Sequence, residues 1–277
     1  MVISRFVNKY TANFKTLPII INKIKTNKQI PIIDYANENF KDHNKNCEVI
    51  CKILETYPNS TIALKFSSLG LGYLKDIDVC KQASNIVELA VNNNSTIMID
   101  AEQDSIQHKI NKLTDYFIDK YNKDKPIIYK TYQMYRTDTF EIFQKDLEYF
   151  KDMHLGIKLV RGAYYNTDKQ NNVLFCKKED TDNSFNNAVQ LFNSKYNCNH
   201  HIVVASHNKK SIELLDNYKH PNISVAHLLG FSDELSSNMT KKYKVYKYLP
   251  FGNYKDTFPY LIRRLYENYP ILEHLNK

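Results

Sequence analysis

The chain has few of the residues that would mark it for several common protein classes. Its 277 residues include only five cysteines, Cys47, Cys51, Cys80, Cys176 and Cys198. They are odd in number, spread out and form no C-x-x-C pair, which argues against a disulfide framework or a zinc ribbon and for a reducing interior compartment. Glycine occurs only six times, and no G-x-G-x-x-G follows a strand-like run, so a Rossmann dinucleotide fold is not indicated. No apolar run approaches the roughly 20 residues that span a bilayer. Low-complexity linkers and a second composition regime are also missing, leaving one large domain as the default. The first acidic residue is Asp34; Met1 to Ile33 carries six basic residues and reads either as a transit-like or membrane-surface segment or as an ordinary Lys- and Asn-rich terminus.

Hydrophobic residues at 43% and charged residues at 25% are those of a soluble globular protein. The net charge of +8 raises a nucleic-acid hypothesis, but the lysines are scattered apart from a cluster at Lys241, Lys242, Lys244 and Lys247. No aromatic-basic RNA motif accompanies them. The excess reads as solvated surface with weak attraction to anionic membranes. Arginine is scarce, with five beside 33 lysines. Two of the five are adjacent, Arg263 and Arg264, and only guanidinium offers the planar fork that grips a carboxylate bidentately.

Eight short β-branched runs recur: IPIIDY (30–35), TIALKF (61–66), TIMID (96–100), PIIYKTY (126–132), GIKLV (156–160), HIVVAS (201–206), NISVAHL (222–228) and YKVYKYL (243–249). Most are apolar throughout, as parallel strands covered on both faces should be. The first five are spaced by about 30 residues with helical patterns between them, the repeat of βα units. Asp138 is expected to cap a helix presenting Phe140, Phe143, Leu147 and Phe150, and Asp182 one presenting Phe185, Val189, Phe192 and Tyr196. The pattern predicts an α/β fold, a (β/α)8 barrel over residues 30–277, preceded by a helical, basic segment over residues 1–29.

Barrel chemistry sits at the C-terminal strand ends. Those ends carry Lys65 with Ser67, Asp100 with Glu102, Gln133, Lys158 with Arg161, Ser206-His207-Asn208, His227-Leu228 and Tyr248, every strand but the first supplying a polar group. Asp100 and Glu102 are two apart and are expected to share a face, where they could bind a metal, serve acid-base chemistry or pair with Lys65 and Lys158. His207 and His227 could join Asp100 at a metal, but the His-x-His pair of metal-dependent barrel hydrolases is missing after the first strand. Lys65 and Lys158 could form a Schiff base or neutralise a phosphate or carboxylate. In FPYLIRRLYENY (258–269), Phe258, Leu261, Ile262 and Leu265 form an apolar stripe, and Tyr260, Arg263, Arg264 and Glu267 a second one. The second stripe suits a small anion bearing an apolar body. Gly162, inside KLVRGAY, would let a flat ligand approach the backbone.

Taken together, these residues resemble the FAD-dependent proline dehydrogenase (proline oxidase) family. IPIIDYANE, ALKFSSLG, IMIDAEQ, TYQMYR, GIKLVRGAYY, VVASHN, AHLLGFSD and YLPFGNYKDTFPYLIRRLYEN occur in the family's order over roughly residues 30 to 268; KLVRGAY and YLIRRLYEN are specific in combination. The resemblance implies a distorted TIM-type barrel that binds FAD on its strand ends. It implies oxidation of L-proline to 1-pyrroline-5-carboxylate by hydride transfer to the flavin N5, the first step of proline degradation to glutamate. Asp100 and Lys158 match the family's catalytic residues. Lys65, Tyr164, Leu228, Tyr248, Tyr260, Arg263, Arg264 and Glu267 match residues that bind or wall in proline, with the arginine pair as carboxylate clamp. Ala101, Gln133, Val160, Arg161, Gly162, Ala163, Ser206 and His207 match flavin contacts.

The resemblance further implies a membrane quinone as acceptor, with peripheral membrane contact; the residues themselves argue against a metal and against nucleic acid. The compartment would be the mitochondrial inner membrane in a eukaryote, or the cytoplasm or membrane periphery in a bacterium. Lys158 stands where many bacterial members have Arg, Ser206 where many have Thr, and His227 where Gln is frequent. The rival readings are hydroxyproline dehydrogenase, a catalytically silent flavin- or proline-binding barrel, and a basic surface binder.

Overall fold

The computed structural model describes residues 9–37, 42–195, 197–218, 221–231 and 233–267, with 260 and 263–267 described by backbone alone. Its strands are β1 (Ile30–Tyr35), β2 (Thr61–Leu64), β3 (Thr96–Ile99), β4 (Ile128–Gln133), β5 (Gly156–Val160), β6 (His201–Ala205), β7 (Ile223–Leu228) and β8 (Lys244–Phe251). They form one closed barrel in sequence order, and every neighbouring pair is parallel. The (β/α)8 expectation holds, and each strand lies where its β-branched run predicted it. The helices are α1 (Leu17–Thr26), α2 (His43–Thr56), α3 (Asp76–Asn92), α4 (Asp104–Tyr121), α5 (Thr139–Tyr149), α6 (Tyr165–Asp168), α7 (Lys178–Ser194), α8 (Lys209–Glu213), α9 (Asp233–Met239) and α10 (Tyr254–Glu267).

Strand alternation divides the apolar residues into two cores. Ile33, Ile62, Leu64, Ile97, Ile99, Ile157, Leu159, Val204 and Val225 pack outward against the helices. Ile32, Ala63, Met98, Tyr129, Val203, Ala226 and Tyr248 pack on one another inside the barrel. Between outward Ile157 and Leu159, the inward position of β5 is Lys158. The same parity turns Asp34, Lys65 and Asp100 inward, each two residues beyond Ile32, Ala63 and Met98. Period-two geometry therefore lifts a charged layer onto the apolar one at the C-terminal end of the barrel.

The residues before β1 pack on the seam where the barrel closes. Ala12 N donates to Pro250 O at 2.9 Å and Gly252 N to Ala12 O at 3.1 Å, clipping this segment to the end of β8. Leu17, Ile21 and Ile24 of α1 are buried in the outer core. No helix among the described residues is long and apolar enough to cross a membrane.

Both capping expectations fail, and in each case an arginine holds the carboxylate. Asp138 precedes α5 but makes no side-chain cap, because Arg136 grips it with Nε at 3.0 Å and Nη2 at 2.9 Å. The helix expected to begin at Asp182 starts at Lys178, and Asp182 bonds Arg161 instead, at 2.6 Å. The apolar faces are as predicted, with Phe143, Leu147, Phe185, Val189 and Phe192 buried; Tyr196 lies outside the described residues. In α10, Leu261 is buried but Ile262 is exposed, so the apolar stripe is narrower than its spacing suggested. The lysine cluster is not one patch either. Lys247 is buried, donating to Phe231 O at 3.0 Å and to Asp233 at 2.8 Å, while Lys242 pairs with Asp216 at the surface.

Candidate active site

At the C-terminal end of the barrel four charged side chains alternate in sign. Asp34 Oδ1 lies 2.6 Å from Lys65 Nζ. Lys65 Nζ lies 3.0 Å from Asp100 Oδ2, and Asp100 Oδ1 accepts from Lys158 Nζ at 2.6 Å. Tyr248, reaching in from β8, donates its hydroxyl to Asp100 Oδ2 at 2.6 Å and accepts from Lys65 at 3.0 Å. Its ring lies under the Lys158 ammonium, 5.0 Å from Nζ to the centroid, within cation-π range. Five strands thus supply one network. Burial pushes the Asp100 carboxyl upward, but the Lys158 and Lys65 charges, with the bonds from Lys158 and Tyr248, outweigh it. The net effect holds Asp100 below the usual carboxylate range.

Glu102 does not share a face with Asp100. β3 ends at Ile99, so strand alternation stops before Glu102, which turns away to bond Ser67 through N at 3.0 Å and through Oγ. Burial raises its pKa against those bonds. Ser67 is thereby engaged with Glu102.

Every member of the network except Asp34 lines a cleft of about 400 Å³. Lys65, Asp100, Lys158, Tyr164, Leu228 and Tyr248 line it together with Ala101, Gln133, Val160, Arg161, Gly162, Ala163, Ser206 and His207. Of the strand-end residues, all but Ser67 and Glu102 converge on this one concavity. Tyr260, Arg263, Arg264 and Glu267 belong to α10, which follows β8; their side chains lie outside the described residues.

The β5 end is braced. Arg161 donates to Asp182 at 2.6 Å, Ser206 Oγ at 2.6 Å and Ser211 Oγ at 2.8 Å, and its guanidinium lies 4.5 Å from the centroid of the Phe185 ring. One arginine thus ties the ends of β5 and β6 to α7 and α8. Gln133 donates to Glu102 O at 2.8 Å and accepts from Ala163 N at 3.4 Å. Gly162 lines the cleft, but its bare Cα has another cause. At φ +142°, an added Cβ would meet the Tyr135 ring at 2.5 Å. Tyr135 is pinned behind it by a 2.9 Å bond from its hydroxyl to Asp168.

The far wall holds two neutral histidines. His207 Nε2 accepts from Leu228 N at 3.2 Å, and His227 Nδ1 meets Ser236 Oγ at 2.9 Å; the ring centroids lie 5.3 Å apart. Burial, reinforced by Lys247, brings His207 down to about 4. Burial, His207 and Lys247 bring His227 down to about 3. Among the described residues no three His, Cys, Asp or Glu side chains could hold a metal together.

Two residues escaped the sequence reading. Asp34 sits on the strand thought to offer nothing polar, although its offset from Ile32 matches that of Lys65 from Ala63. Thr131 lines the cleft from β4, and its buried Oγ1 has no hydrogen-bond partner among the described residues. Only the barrel register, which sets Thr131 beside Lys158, reveals its place.

Comparison with known proteins agrees with this architecture. The family model described as proline dehydrogenase matches residues 18–277. Proline dehydrogenase 1, mitochondrial, of Dictyostelium discoideum is 35% identical over 243 residues, covering 78% of this chain and 42% of that protein. The corresponding protein of Caenorhabditis elegans is 30% identical, covering 72% and 36%. Hydroxyproline dehydrogenase of Xenopus laevis is 30% identical, covering 71% and 47%. The chain thus spans less than half the length of these relatives. Among solved structures, proline utilization A from Corynebacterium freiburgense superposes with a TM-score of 0.84 at 18% identity, covering 98% of this chain and 32% of that one. That from Bdellovibrio bacteriovorus, inactivated by N-propargylglycine, gives 0.83 at 18% identity, covering 95% and 32%. At such identity the likeness speaks for the barrel fold.

Proposed function

The chain belongs to the proline dehydrogenase family, whose members are in general flavoenzymes, and we propose that it oxidises L-proline to 1-pyrroline-5-carboxylate with FAD, opening the degradation of proline to glutamate. The observation that carries the reading is the alternating network of Asp34, Lys65, Asp100 and Lys158, whose last three members line a cleft that the β5 end also lines.

The residues present fit a flavin. The wall combines alkyl and backbone surface at Val160, Gly162 and Ala163 with polar groups at Gln133, Arg161, Ser206 and His207. The orphaned Thr131 Oγ1 is a buried polar atom of the kind a bound polar ligand satisfies. Ala101, Gln133, Val160, Arg161, Gly162, Ala163, Ser206 and His207 are the residues assigned to hold the cofactor. When bound, the flavin supplies the two-electron acceptor for the hydride from proline. Lys158 or Arg161 would supply positive charge to a flavin held by these residues, which would be preorganised electrostatic stabilisation of the reduced form. Asp100 keeps the Lys158 and Lys65 ammonium groups in place. Lys65 is assigned to the proline carboxylate together with Arg263 and Arg264, so that carboxylate binding becomes orientation of the ring. Tyr164, Leu228, Tyr248, Tyr260 and Glu267 wall or brace the same pocket.

A membrane quinone is the proposed acceptor of the electrons, met at a membrane surface in a reducing compartment. That compartment is mitochondrial in a eukaryote, in keeping with the names of the Dictyostelium and Caenorhabditis relatives. The test is direct. The visible spectrum of the purified, FAD-loaded protein should bleach on anaerobic addition of L-proline; a bound flavin that stays oxidised refutes the assignment. The Xenopus relative keeps hydroxyproline in view as the alternative substrate, and kcat/KM for L-proline against trans-4-hydroxy-L-proline decides between them.

A further inference from the structure

We propose that Asp34 is a positioning residue that holds the Lys65 ammonium on the cleft wall for a substrate carboxylate, an inference that rests on the role given to Lys65 above. Asp34 is all but fully buried, at 1% exposure, and spends one oxygen on Lys65 at 2.6 Å. Its other oxygen is buried with no hydrogen-bond partner among the described residues. A desolvated carboxylate with one oxygen idle is a poor stabilising device, so its place on β1 points to what it does for Lys65. The Lys65 side chain is more exposed, at 19%, and lines the cleft.

Besides the Tyr248 hydroxyl, two carboxylates among the described residues pull on Lys65 in different directions. Asp100, 3.0 Å away, draws the ammonium toward β3 and the Lys158 pair, while Asp34, on the opposite neighbouring strand, draws it toward β1. Held between the two carboxylates, Nζ stays between β1 and β3. Without Asp34 both ammonium groups would crowd onto Asp100, and Lys65 would leave the position from which it meets an incoming carboxylate. An asparagine in place of Asp34 would retain an acceptor at Oδ1 and hold Nζ where it is; alanine would not.

The test compares the FAD-loaded wild type with Asp34→Ala and Asp34→Asn. In Asp34→Ala, KM for L-proline should rise about tenfold, the scale of one charge-assisted hydrogen bond, with kcat within threefold. The Kd of tetrahydro-2-furoate, a ring carboxylate without the oxidisable nitrogen, should rise equally when read from flavin absorbance. Asp34→Asn should restore both to within threefold of wild type. Asp34→Ser, whose hydroxyl is too short to reach Nζ, serves where alanine does not fold. If KM and Kd stay within threefold of wild type, or if kcat and flavin content fall while KM holds, the positioning role is overturned. Failure of the wild-type flavin to be reduced by proline would instead overturn the function proposed above.

Discussion

Lys158→Met is the most informative single substitution, because it removes the only ammonium that projects into the barrel from β5. Asp100 Oδ1 loses its donor at 2.6 Å, but Oδ2 keeps Tyr248 at 2.6 Å and Lys65 at 3.0 Å. A wholly abandoned buried charge costs about 3–5 kcal/mol. With the other oxygen still served, the loss should be nearer the value of one charge-assisted bond, about 2 kcal/mol. A urea-unfolding cycle of Lys158→Met, Asp100→Asn and the double variant at pH 7 should give a coupling of about that size, since the double variant leaves no orphan charge. Asp100 is a carboxyl with a depressed folded pKa, so its stabilisation is present above the ordinary value of about 3.9 and is lost as pH falls through the folded one. Without Lys158 that loss should begin at higher pH. At saturating proline, anaerobic flavin reduction should slow by about 100-fold, the scale of one missing electrostatic stabiliser. Coupling below about 0.5 kcal/mol, or reduction within tenfold of wild type, would refute the assignment of Lys158.

Two further outcomes follow from other parts of the site. Gly162→Ala should lower stability by more than the roughly 1–2 kcal/mol of a strained backbone, because its Cβ also strikes the Tyr135 ring; Tyr135→Leu should recover part of the loss, and an unchanged Tm would contradict the packing. His207 and His227 have folded pKa values of about 4 and about 3 against an ordinary 6.5, so the stability they contribute is present above pH 6.5 and is lost as pH falls toward 4. In His207→Asn this acid limb should shrink, as measured by Tm between pH 4 and 7; an identical limb would show that the ring is not buried neutral.

The barrel was legible because each strand is a β-branched run buried on both faces, and no turn chemistry competes with it. The ends of the elements were harder to read. Asp138 and Asp182 look like caps in isolation, and only the fold brings Arg136 and Arg161 to their carboxylates. Asp34 was hidden in an apolar run, although comparing Ile32–Asp34 with Ala63–Lys65 and Met98–Asp100 would have exposed it. Gly162 looks in the sequence like room for a ligand because its neighbour Tyr135 lies 27 positions away in the chain. Alternation alone puts Glu102 on the wrong face because it does not show where β3 ends.

The Tyr248 bonds to Lys65 and Asp100 join residues 183 and 148 positions apart. A chain still being synthesised can pair β1 through β5 and bring the two lysines and two aspartates together, but their clamp arrives only with the last strand. Contacts of such long range form late, after the entropy of closing the ring has been met. Ligand capture by this cleft would therefore report that the barrel has closed, and a flavin-binding signal during refolding should lag behind the recovery of helical structure.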